Sequence, residues 1–179
     1  MIIGNNTFLR GLVLDDVEAL FNYWNNKDFM NYSGRINPYS KEELINWIQS
    51  TWKEREQKKA FTFAIIEVNK KVIIGTIRLK IVNIISRRAD ISIGIFNPIF
   101  RDKGLGTESL KLLIDFAFNT MNLLSLELKV FTNNKRAISC YEKLGFKKVG
   151  VRRKADFVDG EYLDDLVMDL LIEEWMNDE

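Results

Sequence analysis

The sequence predicts an α/β (α+β) chain built on a mixed, mostly antiparallel sheet. Three observations carry this. β-branched and aromatic residues recur in short alternating runs, apolar residues recur at helical spacing between them, and one stretch runs strand, glycine loop, helix, strand, helix. The element order reads β α α β β β α β α β β, a sheet of six to seven strands with about four helices.

Residues Thr7 to Leu12 form a short first strand. Asp15-Asp16 offers a cap for a helix with Val17, Leu20, Phe21 and Trp24 on one face. An irregular connection is expected from Asn25 to Tyr39. Ser40 followed by Glu43 is a capping-box pattern, and Leu44, Trp47, Ile48 and Trp52 mark the helix after it. Phe61 to Val68 and Val72 to Val82 read as a hairpin turning at Asn69-Lys70-Lys71. Ala89 to Phe96 alternates Ile91, Ile93 and Ile95 against Asp90, Ser92 and Gly94 until Pro98 stops it. Leu105 to Met121 is an amphipathic helix through Leu110, Leu113, Ile114 and Ala117. Leu126, Leu128 and Val130 mark a strand, and Asn134 to Leu144 a shorter helix ended by Gly145. Phe146 to Phe157 and Tyr162 to Leu171 are strands joined by the tight-turn pair Asp159-Gly160.

No repeat or Pro/Gly-rich linker interrupts this order, so residues 1–179 are expected to form one domain. Lys and Arg number 26 against 25 Asp and Glu, giving a net charge of +1 and no global basic field. No nucleic-acid partner is expected on that balance, and the runs Arg87-Arg88 and Arg152-Arg153-Lys154 read as solvated faces. Cys140 is the sole cysteine, which rules out an intrachain disulfide and fits a reducing compartment. The N-terminus lacks a basic region followed by an apolar run, and no apolar stretch nears the roughly 20 residues that span a bilayer. A cytoplasmic protein with no membrane partner is expected. Histidine is absent, so His-based nucleophile systems are excluded and no metal site is expected. Acid–base work must fall to carboxylates, tyrosine, lysine or water.

The chemistry concentrates in two segments. The first is Arg101-Asp102-Lys103-Gly104-Leu105-Gly106-Thr107, between a strand and a helix. Unbonded N–H groups at a helix start favour an anion, and glycines let a phosphate approach the backbone. Arg101 and Lys103 add positive charge and Thr107 a hydroxyl. The P-loop pattern Gly-x-x-x-x-Gly-Lys-Ser/Thr is missing, and Thr107-Glu108-Ser109 departs from the dinucleotide fingerprint. The second segment is Asn134-Lys135-Arg136-Ala137-Ile138-Ser139-Cys140-Tyr141-Glu142-Lys143-Leu144-Gly145-Phe146.

Together, Arg-x-x-Gly-x-Gly and Asn-x-Arg-Ala-Ile-x-x-Tyr-Glu-Lys-Leu-Gly-Phe resemble the GNAT superfamily of N-acetyltransferases. The resemblance extends to the branch of ribosomal-protein alanine and serine N-acetyltransferases and spermidine N-acetyltransferases, through Phe157-Val158-Asp159-Gly160-Glu161-Tyr162. It implies a GNAT-like fold and acetyl transfer from the cosubstrate acetyl-CoA to a primary amine by direct attack. It implies a pyrophosphate cradle at Arg101, Asp102, Lys103, Gly104, Leu105, Gly106 and Thr107. Gly94, Ile95 and Phe96 would pair with the pantetheine arm, and Asn134 and Ala137 would contact it. Tyr141 would protonate the departing thiolate. A primary amine has a pKa of about 10.4, so a base is needed. Asp90 is the first candidate and Glu127 a weaker one. A backbone N–H near Phe96 would meet the oxyanion. Cys140 reads as buried filler rather than a nucleophile, there being no histidine to activate it.

On this resemblance the acceptor would be a small-molecule or peptide amine. The early helices and final hairpin, which would line its groove, carry Trp24, Tyr32, Tyr39, Trp47, Trp52 and Phe157 beside Asp28, Glu42, Glu43, Asp156 and Asp159. Arg78, Lys80, Arg87 and Arg88 on the middle strands weigh against a polyamine. A catalytically silent acetyl-CoA sensor, a spermidine acetyltransferase and a phosphate-binding domain for another nucleotide stay open as alternatives, as does a homodimer.

Overall fold

The computed structural model describes residues 1–27, 29–30 and 37–176. The strands are β1 (Ile2–Ile3), β2 (Thr7–Gly11), β3 (Ala60–Glu67), β4 (Ile73–Asn83), β5 (Arg88–Ile95), β6 (Ser125–Phe131), β7 (Lys147–Val158) and β8 (Glu161–Leu171). The helices are α1 (Val17–Trp24), α2 (Lys41–Glu56), α3 (Leu105–Asp115), α4 (Lys135–Lys143) and α5 (Ile172–Met176). One eight-stranded sheet runs β1-β2-β3-β4-β5-β6-β8-β7. Every pairing is antiparallel except β5 with β6, where the crossover through α3 returns the chain in the same direction.

Two elements exceed the expected set. β1 has two residues, too few for a periodic signal. α5 is held from outside: Trp175 Nε1 donates to Asp115 Oδ1 at 2.9 Å, and Glu174 Oε2 accepts the Leu171 N–H at 2.9 Å.

The sheet separates two apolar layers. On one face, Ile65, Ile74 and Leu79 pack with Leu110, Leu113 and Ile138 from α3 and α4. On the other, Ala64, Ile66 and Phe96 pack with Leu20, Leu44 and Ile48 from α1 and α2. β3 is covered on both faces, which is why its sequence is a near-continuous apolar run.

Local signals account for most boundaries. Glu43 N–H donates to Ser40 Oγ at 3.1 Å and Ser40 N–H to Glu43 Oε2 at 2.7 Å, a completed capping box. Gly145 takes φ 87, and the Phe146 and Gly145 N–H groups bond the carbonyls of Tyr141 and Glu142, ending α4 in a Schellman motif. Asp159 and Gly160 both have positive φ, as a type I′ turn requires. Asp16 does stand at the start of α1, but its side chain makes no cap bond there. Its carboxylate instead accepts from Val13 N–H and from both terminal nitrogens of Arg10. The helix expected to reach Met121 is α-helical to Asp115 and widens to a π turn over Phe116–Thr120, where Phe116 packs against Phe61 and Phe63. In the connection from Asn25 to Tyr39, the Asn25 amide clasps the Tyr39 backbone through two hydrogen bonds. Residues 28 and 31–36 of that connection lie outside the described set.

Candidate active site

The site begins with a short pairing. β5 and β6 are bonded only at Arg88↔Ser125, Ala89↔Leu126 and Asp90↔Glu127. Beyond that point β6 continues beside β8, while β5 continues beside β4 to Ile95. One edge of β5, from Ile91 to Ile95, is therefore left open to an extended amide chain. α3 starts beyond that edge. Its N-cap, Gly104, has φ 75 and no side-chain cap bond, so the first N–H groups of α3 keep their direction towards an anion.

A groove of about 150 Å³ follows this line, bounded among others by Ile93, Ile95, Gly106, Thr107, Arg136 and Tyr141. Of the residues expected there, Ile95, Arg101, Asp102, Gly104, Gly106, Thr107, Ala137 and Tyr141 do line it. Arg101 plays a local part as well: its Nε donates to the Ile95 carbonyl at 2.9 Å, folding the loop onto the strand end. Arg136 pairs with Asp102 at 3.2 Å, and Lys103 Nζ lies 6.0 Å from the Phe100 ring centre. Thr107 Oγ1 sits 3.1 Å from Cys140 Sγ, which links α3 to α4.

Five expected positions, Gly94, Phe96, Lys103, Leu105 and Asn134, do not line the groove. Leu105 is buried in the core. Phe96 is 1% exposed, with its ring stacked on Tyr23 at 5.1 Å. Its N–H donates to the Ile74 carbonyl at 3.1 Å, so that group is already occupied. Asn134 caps α4, its Oδ1 accepting the Ala137 N–H at 3.2 Å. With Gly94, Asn134 lines a second and larger cavity rather than the groove.

That larger cavity is about 730 Å³ and lies on the α1–α2 face. Trp24, Phe29 and Trp47 line it, as do Asp156 and Asp165 of the β7–β8 hairpin and Tyr141 of α4. Tyr141 and Ile93 line both the groove and this cavity. Tyr141 is buried, with its ring edge-on to Phe146 at 5.9 Å. Across the cavity, Arg78 grips Glu54 through two bonds of 2.8 and 3.0 Å and holds that carboxyl below its usual range.

Asp90 and Glu127 face each other in register, in a cavity of about 250 Å³ that also exposes Lys80 and shares Arg78, Ser92 and Lys129 with the larger one. Asp90 lies four residues from Gly94, roughly 13 Å along the strand. Neither carboxylate is among the residues lining the groove or the larger cavity that Tyr141 borders. Among the aromatic and acidic residues expected around an acceptor, Trp24, Trp47 and Asp156 line the cavity. Trp52 is committed to the Leu12 carbonyl at 2.9 Å, and Phe157 packs on Tyr162 at the exposed hairpin end. Tyr39 packs against Trp24 at a ring separation of 5.9 Å, and Glu43 serves the capping box. Glu42 lies in the first turn of α2 and Asp159 at the hairpin tip, neither lining the cavity. Asp28 and Tyr32 lie outside the described residues. Asp165 was not singled out by sequence, because an acidic residue on an alternating strand reads as a solvent-facing one.

Gly75 controls the open edge from behind. A Cβ there would stand 2.4 Å from the Gly94 carbonyl oxygen, a backbone atom. Gly75→Ala is therefore expected to push β4 from β5, costing about 1–3 kcal/mol of stability in urea unfolding. CoA binding measured by calorimetry should weaken with it. Unchanged values in both would show that the added Cβ is accommodated without parting the strands.

Among the described residues no cluster of His, Cys, Asp and Glu is arranged to hold a metal ion. No described helix is long and apolar enough to cross a membrane.

Residues 6–147 match the acetyltransferase (GNAT) domain family. The chain is 28% identical over 169 residues to the spermidine N(1)-acetyltransferase of Vibrio cholerae serotype O1, covering 94% of this chain and 95% of that protein. It is 29% identical over 152 residues to the N-acetyltransferase YoaA of Bacillus subtilis (strain 168), covering 85% of each. A crystal structure of the Vibrio cholerae spermidine N-acetyltransferase in complex with CoA and spermine superposes with a TM-score of 0.86 at 27% identity, over 97% of this chain and 100% of that one.

Proposed function

The chain belongs to the GNAT acetyltransferase family, and from that premise we propose how its groove and cavity divide the work of an acetyl-CoA-dependent N-acetyltransferase. The groove takes acetyl-CoA. Its open β5 edge suits an extended amide chain, and the uncapped start of α3 suits a pyrophosphate. When bound, acetyl-CoA supplies the thioester carbonyl and its leaving thiol. The cavity takes the amine. Tyr141, the one ionisable side chain bordering both spaces among the described residues, is the acid that protonates the departing sulfur. That shared position is the observation that carries the reading.

The acceptor is a primary amine, either a small molecule or a peptide α-amino group. The Vibrio cholerae relatives are named for spermidine. Here, however, Glu54, Asp156 and Asp165 are balanced by Arg78, Lys129 and Arg152, with Glu54 already paired. This balance favours an acceptor presenting one ammonium, its remainder lying against Trp24, Phe29 and Trp47. The single cysteine accords with a cytoplasmic enzyme.

The test is CoA release from acetyl-CoA across a panel of peptides, mono-amines, aminoglycosides and spermidine. Mono-amine or peptide turnover exceeding that with spermidine is expected. Preference for spermidine overturns the single-ammonium reading, and no release with any amine overturns the transferase reading.

A further inference from the structure

After a one-residue shift between Lys148 and Gly150, β7 and β8 pair to Arg152↔Asp165 and resume at Asp156↔Leu163. Arg153, Lys154 and Ala155 of β7 therefore stand against Asp164 alone. Lys154 takes φ 49, and its N–H donates to Asp164 Oδ1 at 2.7 Å, which fixes the bulge. Bulges bend a strand and re-aim its side chains. This one lets Asp156 line the same cavity as Asp165.

On β8, Leu166, Met168 and Leu170 take the core face, so alternation turns Asp165 to the cavity side. Asp165 is 6% exposed. A carboxylate so buried is costly unless a cation or hydrogen bond satisfies it. The cation facing it, Arg152, stands off at 3.9 Å. Tyr141 lines the same space. Thus a buried carboxylate with only a distant ion pair shares one cavity with the residue assigned as the acid.

We propose that Asp165, with Asp156 beside it, receives the acceptor's ammonium and takes its first proton. This rests on the transferase reading above. With one proton on Asp165, the nitrogen lone pair forms the C–N bond while the C–S bond breaks. The leaving sulfur takes the Tyr141 hydroxyl proton, and the second proton lost by the nitrogen returns to the Tyr141 oxygen. Asp165 then releases its proton to water, so the net products are amide, thiol and one proton.

The charges around Asp165 support this. Asp156 and Arg152 face it from β7, Lys129 from β6 and Asp164 from β8 itself. Tyr141 lines its cavity from α4, and the Glu54–Arg78 pair lies across it. Burial pushes the Asp165 carboxyl up first, and Asp156 adds to the rise, while Arg152 and Lys129 oppose it. A carboxylate pushed up is a better match for an ammonium proton. The sign for stability follows: the ionised form is disfavoured by folding, and that penalty fades as pH falls through the folded pKa. Asp165→Asn is therefore expected to keep or raise Tm at neutral pH.

The experiment measures kcat/KM for the amine against pH, at saturating acetyl-CoA, in wild type, Asp165→Asn and Asp156→Asn. CoA affinity by calorimetry and Tm are read alongside. At pH 7, Asp165→Asn should lose on the order of 10²-fold in kcat/KM, with CoA affinity within about threefold. The deficit should narrow by about tenfold per pH unit towards the amine's own pKa, as the neutral amine becomes abundant. Asp156→Asn should move the acidic limb to lower pH, since it removes a charge that holds Asp165 up. A loss that does not change with pH, activity within about threefold of wild type, or an unmoved limb in Asp156→Asn overturns the role. If wild type transfers acetyl and Asp165→Asn matches it, only the Asp165 role falls. If wild type acetylates no amine, both readings fall.

Discussion

Tyr141→Phe is expected to lower kcat by about 10²- to 10⁴-fold, the usual contribution of a positioned acid, while CoA affinity stays within a few-fold. The ring is buried against Phe146 and fills the junction of groove and cavity. Phe keeps that volume and removes only the hydroxyl, so folding and the groove should persist. The hydroxyl matters through position rather than strength. A phenol of pKa about 10 gives its proton to a thiolate of conjugate-acid pKa about 8.5 only when held against it. Paired kcat and calorimetric measurements check this, and turnover within about twofold of wild type would remove Tyr141 from the reaction.

Phe96→Ala is expected to cost about 3–5 kcal/mol, the range for emptying an aromatic site in a packed core. Phe96 is 1% exposed and sits between the Tyr23 ring at 5.1 Å and the Phe29 ring at 6.3 Å. It directly follows Ile95, so its packing anchors the end of the open β5 edge to the α1 layer. Urea unfolding should show a lower midpoint with an unchanged slope. KM for acetyl-CoA should rise with it, because the strand end that borders the groove loses its support. A cost below about 1 kcal/mol would mean that the site collapses without consequence.

The sequence motif and the structure read Phe96 differently for a physical reason. The motif marks the strand end as backbone that meets the cosubstrate. A backbone position says nothing about where its N–H points, and here β4 takes it through the Ile74 carbonyl. Asp90 shows the same limit. Its face was legible from alternation with Ile91, but the cavity it lines was not. That placement depends on where β5 and β6 part, which is set by pairing between segments 37 residues apart.

Local chemistry determined much of this protein from sequence alone. The Ser40–Glu43 box, the Gly145 cap, the Asp159-Gly160 turn and the glycine loop each act within a few residues, where dihedral preference and hydrogen-bond reach are written in the chain. The two motifs also carried the family, and with it acetyl-CoA and the fold. Only the tertiary structure decided which residues share the larger cavity. Insertion of β8 between β6 and β7 and the bulge at Arg153 to Ala155 bring Asp156 and Asp165 to the cavity that Tyr141 borders. Strand order and register arise from burial summed across the whole sheet, so no window of neighbouring residues encodes them.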